Sequence, residues 1–237
     1  MKIVLDTHSH TLVSGHAYNT IREMAQMAKE KGLEAISLTE HAPQMPGTCH
    51  EFYFQNLKVV PRKMHGIRLF LGVELNILDE KGTVDLPENT LSQMDIAVAS
   101  MHGPCYRGER TKEAITSAYL AAMENPRIHI IGHPDDGRFP VDYEELVKKA
   151  KETHTLLEIN NSSLRLGGFR MNTKENDRIM LEYCKKYEVP VSLGSDAHVD
   201  VDLGEFSVAR ELLEECAFPE ELVVNTSLAK LEKILAI

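Results

Sequence analysis

The chain has 237 residues, a length that suits one α/β barrel or one to two smaller domains. Its 43% hydrophobic and 26% charged residues allow a large packed core and argue against disorder, and no apolar run approaches the roughly 18 residues of a membrane span. A formal charge of −10, from 26 basic and 36 acidic residues, argues against a broad basic face for nucleic acid, while bound cations could still draw an anionic substrate.

The N-terminal residues Met1 to Leu5 meet Asp6 and then histidines too soon for a signal peptide. Ile3 to Leu5 reads as a short strand. Thr20-Ile21-Arg22-Glu23 has the form of a capping box, opening a helix that stops near Lys31-Gly32. Ala35 to Thr39 is the second strand, a helix is predicted over much of Glu51 to Met64, and Arg68 to Val73 is the third strand. Asp95 to Ser100 is the fourth, followed by a helix over Thr111 to Met123. The fifth and sixth, Ile128 to Ile131 and Leu156 to Ile159, precede helices at Tyr143 to Glu152 and Lys174 to Tyr187. Val189 to Leu193 is the seventh, and helices at Phe206 to Cys216 and Ser227 to Leu235 close the chain.

Short apolar strands alternating with helices imply βαβ units and a parallel sheet. Seven of them suit a closed or nearly closed α/β barrel, with a doubly wound open sheet as the other solution. The composition shifts nowhere enough to mark a linker, so residues 1–237 are read as one domain. Cys49, Cys105, Cys184 and Cys216 form no CxxC pair and are expected as free thiols, which together with the N-terminus gives a cytoplasmic reading.

The chemistry lies just after the strands. The first runs into Asp6-Thr7-His8-Ser9-His10, with His16 in the next loop; the second ends in Glu40-His41 and the third in Gly72-Val73-Glu74. The fourth and fifth end in His102 and Gly132-His133-Pro134, and the seventh in Gly194-Ser195-Asp196-Ala197-His198. In parallel barrels that C-terminal end of the strands is where active sites are built. Residues two apart on extended chain point the same way, so His8 and His10, and Asp196 and His198, can each grip one ion. A carboxylate at Glu74 can bridge two ions. Seven imidazoles and two carboxylates exceed the needs of one four-coordinate zinc and suit two or three ions. So imidazole-rich a set favours zinc, iron, manganese or cobalt over calcium or magnesium. His50, His65, His129 and His154 fall away from the strand ends and are read as structural or surface residues.

These segments, with His16-Ala17-Tyr18 and Glu158-Ile159-Asn160-Asn161-Ser162-Ser163, resemble the PHP (polymerase and histidinol phosphatase) phosphoesterases over essentially the whole chain, most of all their YcdX-type phosphatases. The resemblance implies a distorted seven-stranded β/α (TIM-like) barrel. It also implies a trinuclear metal centre in which His8, His10, Glu74 and Asp196 hold one ion, Glu74 with His102 and His133 a second, and His16, His41 and His198 a third. It points to Zn2+, with Fe2+ and Mn2+ as alternatives. Glu40 departs from the aspartate common in the family at that position, which bears on tuning the site rather than on ligation.

The activity this implies is hydrolysis of a small phosphorylated substrate by a metal-activated hydroxide, with no protein nucleophile. Cys105 is read as a bystander. Arg165 is the first choice for a substrate contact, ahead of Arg107, Arg110 and Arg138; Asp135 or Asp136 is the candidate proton donor to the leaving group. A histidinol-phosphate phosphatase, an amidohydrolase and a non-catalytic metal-binding module are the competing readings. Homo-oligomerisation stays open.

Overall fold

The structure is a computed structural model that describes residues 1–236. Its strands are β1 (Leu5–Asp6), β2 (Ala35–His41), β3 (Lys63–Met64), β4 (Ile67–Asn76), β5 (Ile96–Ser100), β6 (Ile130–Gly132), β7 (Leu156–Asn160) and β8 (Val191–Gly194). Seven of them run parallel in the order β1-β2-β4-β5-β6-β7-β8, while β3 pairs antiparallel with β4. The two ends of that order meet. Asp196 N–H donates to His8 O at 2.9 Å, His10 N–H donates to Ala197 O at 2.9 Å, and Ser9 bridges Ala197 in parallel. The sheet therefore closes into a barrel rather than lying open, and its closing seam is made by the two segments richest in candidate ligands.

The helices are α1 (Ile21–Glu30), α2 (Phe52–Asn56), α3 (Glu88–Leu91), α4 (Lys112–Ala122), α5 (Tyr143–Thr153), α6 (Asn161–Leu164), α7 (Thr173–Tyr187), α8 (Ser207–Glu215) and α9 (Leu228–Leu235). The capping box that opens α1 is present, with Thr20 Oγ1 accepting from Glu23 N–H and Glu23 returning to Thr20 N–H. Helices α1, α4, α5, α7 and α8 pack their apolar faces on the outer side of the strands, forming a continuous core that includes Met24, Ile36, Leu69, Ile115, Leu146 and Leu181.

A second apolar cluster lies inside the barrel. Leu5, Ala35, Phe70, Ile96, Val98, Ile130 and Leu156 fill the end where the strands begin, and Leu231 and Leu235 of α9 seal it. Side chains alternate along a strand, so Glu74 shares the parity of Phe70 on β4 and points inward at the opposite end.

The structure departs from the predicted elements between Glu51 and Met64. The helix there stops at Asn56, passes through a 3-10 turn (Leu57–Val59), and gives way to β3. Pro61 disfavours helical backbone at Val60, and His65 and Gly66, at φ 52° and 92°, make a tight hairpin turn that folds Lys63-Met64 back onto Ile67-Arg68. Periodicity alone could not separate these outcomes. The β4–β5 connection carries only the four-residue α3, which leaves the barrel unevenly jacketed.

Candidate metal centre

All nine predicted ligand positions come together at the C-terminal end of the barrel. Glu74 is their hub. Its Oε1 lies 3.0 Å from His133 Nε2, 3.3 Å from His102 Nε2 and 3.4 Å from His8 Nε2; its Oε2 lies 2.6 Å from His41 Nδ1 and 3.6 Å from His10 Nε2. Asp196 Oδ1 faces His10 Nε2 at 3.3 Å, His198 Nδ1 at 3.6 Å and His8 Nε2 at 3.8 Å. His16 completes the set, its Nε2 3.2 Å from His41 Nε2.

Three overlapping groups have donor atoms within 4.8 Å of one another and could each hold an ion: His8, His10 and Glu74; His41, Glu74 and His102; and His10, His41 and His198. The hydrogen bonding fits that use. His8 Nδ1–H donates to Glu158 Oε1 at 2.7 Å, His102 Nδ1–H to Asn76 Oδ1 at 2.7 Å, and His10 Nδ1–H to Ser14 Oγ at 3.0 Å. Each bond leaves a lone pair on Nε2, aimed at the hub, as outer partners of metal-binding histidines do. His8 Nε2, His10 Nε2 and Glu74 Oε2 are buried without a hydrogen-bond partner. Buried polar atoms are rarely left so, and a cation at the hub would satisfy all three at once. The donor set thus fits divalent ions.

Electrostatics point the same way. Burial lowers the His8 pKa, but Glu158, Glu74 and Asp196 more than reverse it and carry it well above its ordinary value. Burial holds His10 well below its own, with His41 and His198 adding to the effect. Burial works against ionisation of Glu74, yet His102, His8 and His41 hold its carboxyl well below the usual range. The carboxylates raise His8, while burial and the neighbouring imidazoles lower His10, so the cluster favours positive charge beside its carboxylates.

Two of these positions carry backbone strain. His133 and Asp196 have φ of 31° and 53°, a region that non-glycine residues seldom occupy. Each is pinned: His133 N–H donates to Glu158 Oε2 at 2.8 Å, and Asp196 N–H to His8 O. A cost on the order of 1–3 kcal/mol apiece is accepted where function demands it.

Glu158, inside the Glu158-Ile159-Asn160-Asn161 segment, has a supporting role that the motif does not announce. It is fully buried, holds His8 with one oxygen, and accepts from His133 N–H and Asn160 Nδ2–H with the other. Gly194 is what admits it, since a Cβ there would overlap the Glu158 carboxylate. A charged residue in mid-strand, two positions before Asn160, was the signal available. Glu40 takes the supporting place expected of it, accepting from Thr11 N–H, Thr11 Oγ1 and Ser14 Oγ, the last of which receives His10. Arg170 lies outside the strand-end pattern. Its buried guanidinium donates to Asp196 Oδ2 at 3.1 Å, Ser163 Oγ at 2.8 Å and Asn160 Oδ1 at 3.2 Å. The tertiary turn after α6 brings it there, which spacing does not reveal.

A cavity of about 640 Å³ opens above the hub, floored by His16, His41, His102, Asp196 and His198 and walled by residues including Met45, Pro104 and Phe169. Arg165, the first choice for a substrate contact, is not among the lining residues; it is half-exposed and paired at 2.9 Å with Asp202, which does line the cavity together with Arg138 and Arg170. Arg107 donates to Gln44 Oε1 and Arg110 to Gly103 O. Asp136 is held by Arg138, with Nη2 to Oδ2 at 2.5 Å. Asp135 is fully buried; burial raises its carboxyl to about 6. Burial raises the Cys105 thiol to about 11, away from the thiolate form a nucleophile needs. The remaining histidines serve the backbone: His50 Nδ1 accepts from Phe52 N–H, His129 Nδ1 from Ala97 N–H, His154 ends α5 in the left-handed region and His65 turns the β3–β4 hairpin.

The model of the PHP domain matches residues 6–217. A probable phosphatase of Thermoanaerobacter sp. (strain X514) is 44% identical over 235 residues, covering 99% of this chain and 95% of that one. A probable phosphatase of Caldicellulosiruptor saccharolyticus is 46% identical over 228 residues, covering 96% and 94%. Among solved structures, the histidinol phosphate phosphatase of Lactococcus lactis, complexed with zinc, L-histidinol and phosphate, shares the fold: TM-score 0.62 at 20% identity, covering 91% of this chain and 94% of that one. With a closed barrel, clustered imidazoles and carboxylates at the C-terminal ends of its strands, and a domain match over most of its length, the chain belongs to the PHP domain family.

Proposed function

We propose that the chain is a metal-dependent phosphatase acting on small phosphomonoesters, with three divalent transition-metal ions, Zn2+ first and Fe2+ or Mn2+ as alternatives, held by the nine residues around Glu74. In this reading the whole chain is one catalytic domain. His8, His10, Glu74 and Asp196 hold one ion, Glu74, His102 and His133 the second, and His16, His41 and His198 the third. The observation that carries the reading is the Glu74 carboxylate, whose two oxygens face different imidazoles. The third group is supported by the packing of His16 against His41 and His198, with ring centroids 4.9 and 4.7 Å apart.

Bound divalent ions supply Lewis acidity, lowering the pKa of water and neutralising charge on phosphoryl oxygens. The chain's own contribution is order and charge. Glu158, Asn76 and Ser14 fix the ring orientations of His8, His102 and His10, and Arg170 holds Asp196. Arg170 is the arginine nearest the floor, and Arg165 would meet substrate by exchanging its Asp202 contact for a phosphate oxygen. The relatives named as phosphatases support the reaction class, and the gathering of all nine residues around one hub supports an enzyme over an inert module. Among the described residues no helix is long and apolar enough to cross a membrane, and all four cysteines are free, as suits a cytoplasmic enzyme.

The test is elemental analysis of protein purified without chelator, with turnover of p-nitrophenyl phosphate, histidinol phosphate and a phosphodiester measured before and after chelation. Two to three transition-metal ions per chain and chelator-sensitive monoester hydrolysis are expected. Metal-free protein, or hydrolysis indifferent to chelation, would overturn the reading.

A further inference from the structure

The two carboxylates of the proposed metal centre are supported in different ways. Both oxygens of Glu74 face imidazoles, and among the described residues neither is paired with a lysine or arginine. The oxygens of Asp196 are divided. Its Oδ1 faces His10 Nε2 at 3.3 Å, His198 Nδ1 at 3.6 Å and His8 Nε2 at 3.8 Å. Its Oδ2 accepts from Arg170 Nη2 at 3.1 Å and from Asn160 Nδ2 at 3.3 Å.

The guanidinium is anchored independently of Asp196, so an ion arriving at Oδ1 does not release it. Arg170 Nη1 donates to Ser163 Oγ at 2.8 Å and to Asn160 Oδ1 at 3.2 Å. Ser163 Oγ donates in turn to Asp135 Oδ1 at 3.3 Å, which places a carboxylate behind the cation. The Arg170 side chain is only 9% exposed, and a charge so buried is weakly screened. A fixed positive charge thus stands at the back of a carboxylate whose front oxygen faces the hub. An arginine beside an aspartate weakens its hold on a proton by about ten- to a thousandfold, and a divalent ion on the same carboxylate meets the same field.

We infer that Arg170 is a positioning residue that tunes Asp196: it occupies Oδ2, confines the carboxylate to one oxygen towards the metal, and by its charge loosens the ion held there. An ion met by a half-neutralised carboxylate keeps more of its charge for phosphoryl oxygens. The inference rests on the metal-centre reading and deepens it. Its sign is opposite to that of a residue that merely steadies a ligand, whose loss costs about 10- to 100-fold in metal affinity.

The experiment measures stepwise zinc affinities by competition with a chromophoric chelator for the native chain, Arg170→Gln and Arg170→Lys, with the melting temperature of the metal-free samples alongside. Arg170→Gln removes the charge while Asn160 still holds Oδ2. It should tighten one binding step by about tenfold or more, and lower the melting temperature of the metal-free protein, where Asp196 loses its counter-charge. Arg170→Lys keeps the charge and should stay close to the native chain in both. If no step tightens in Arg170→Gln, the inference is overturned; weaker binding there would assign Arg170 to orientation alone. Equal tightening in Arg170→Lys overturns it as well, because charge would then not be the cause. A native chain that takes up no zinc overturns the metal-centre reading and this inference with it, so the native sample tells the two failures apart.

Discussion

The two ends of this barrel are built from the same strands and obey opposite rules. Where the strands begin, Phe70, Ile96, Ile130 and Leu156 meet the sealing helix α9 in an apolar plug with no exposed ring. Where they finish, inward positions on the same strands carry Glu74, Glu158 and Asn160, surrounded by imidazoles. The distance from Phe70 to Glu74 along β4 is four residues, about 13 Å. Over that span the chain passes from a region that holds the fold to one that is costly until ions arrive. The plug supplies the stability that lets the other end keep strained backbone at His133 and Asp196 and buried atoms without partners.

The separation can be broken first at the hub. Glu74→Gln keeps the shape but removes a shared charge worth several kcal/mol of stabilisation, so kcat/KM should fall by about a thousandfold or more. Metal per chain should fall with it while far-ultraviolet circular dichroism is retained; near-normal turnover would mean Glu74 is not the bridge. At the other end, Phe70→Ala should cost about 3–5 kcal/mol in urea unfolding, with metal content of the folded fraction unchanged. Loss of metal in proportion to that destabilisation would show that the two ends are not independent.

Glu158→Gln tests the layer between them. Metal affinity should drop by about 10- to 100-fold, read by competition with a chromophoric chelator, because His8 loses the charge that orients it. The smallest effect concerns pH at the sealed end. Burial, with Arg127 nearby, lowers His129 to about 4, and its Nδ1 accepts from Ala97 N–H. The unfolded imidazole titrates near about 6.5, so its contribution is complete above that pH and is lost as pH falls towards about 4. Discounted for partial exposure, the loss is on the order of 1 kcal/mol. His129→Gln should flatten the decline of the metal-free protein's melting temperature between those pH values; an unchanged slope would remove His129 from the account.

Much of this molecule was legible in its residues. The capping box of Thr20 and Glu23, the seven short apolar runs, and histidines or carboxylates at the ends of six strands depend on local chemistry and alternation, which a linear chain displays. Glu40 was expected as a supporting residue only through the family resemblance, which places an acidic residue before His41. The hairpin at Lys63-Met64 was not, since an apolar segment of that length suits helix or strand until Pro61 and the His65-Gly66 turn are weighed together.

The sequence by itself determined which side chains could meet, because strand alternation and the shared polarity of a parallel barrel send every strand end to one face. Only the tertiary structure decided how they meet. Closure of β1 onto the segment after β8 sets His8 and His10 against Asp196, and the space at Gly194 lets Glu158 reach His8 across 150 residues of chain. The turn after α6 delivers Arg170 to Asp196 while Arg165, nearer the strand end, pairs with Asp202 instead. Those contacts depend on distances between segments far apart in the chain, and such distances exist only once the barrel has closed.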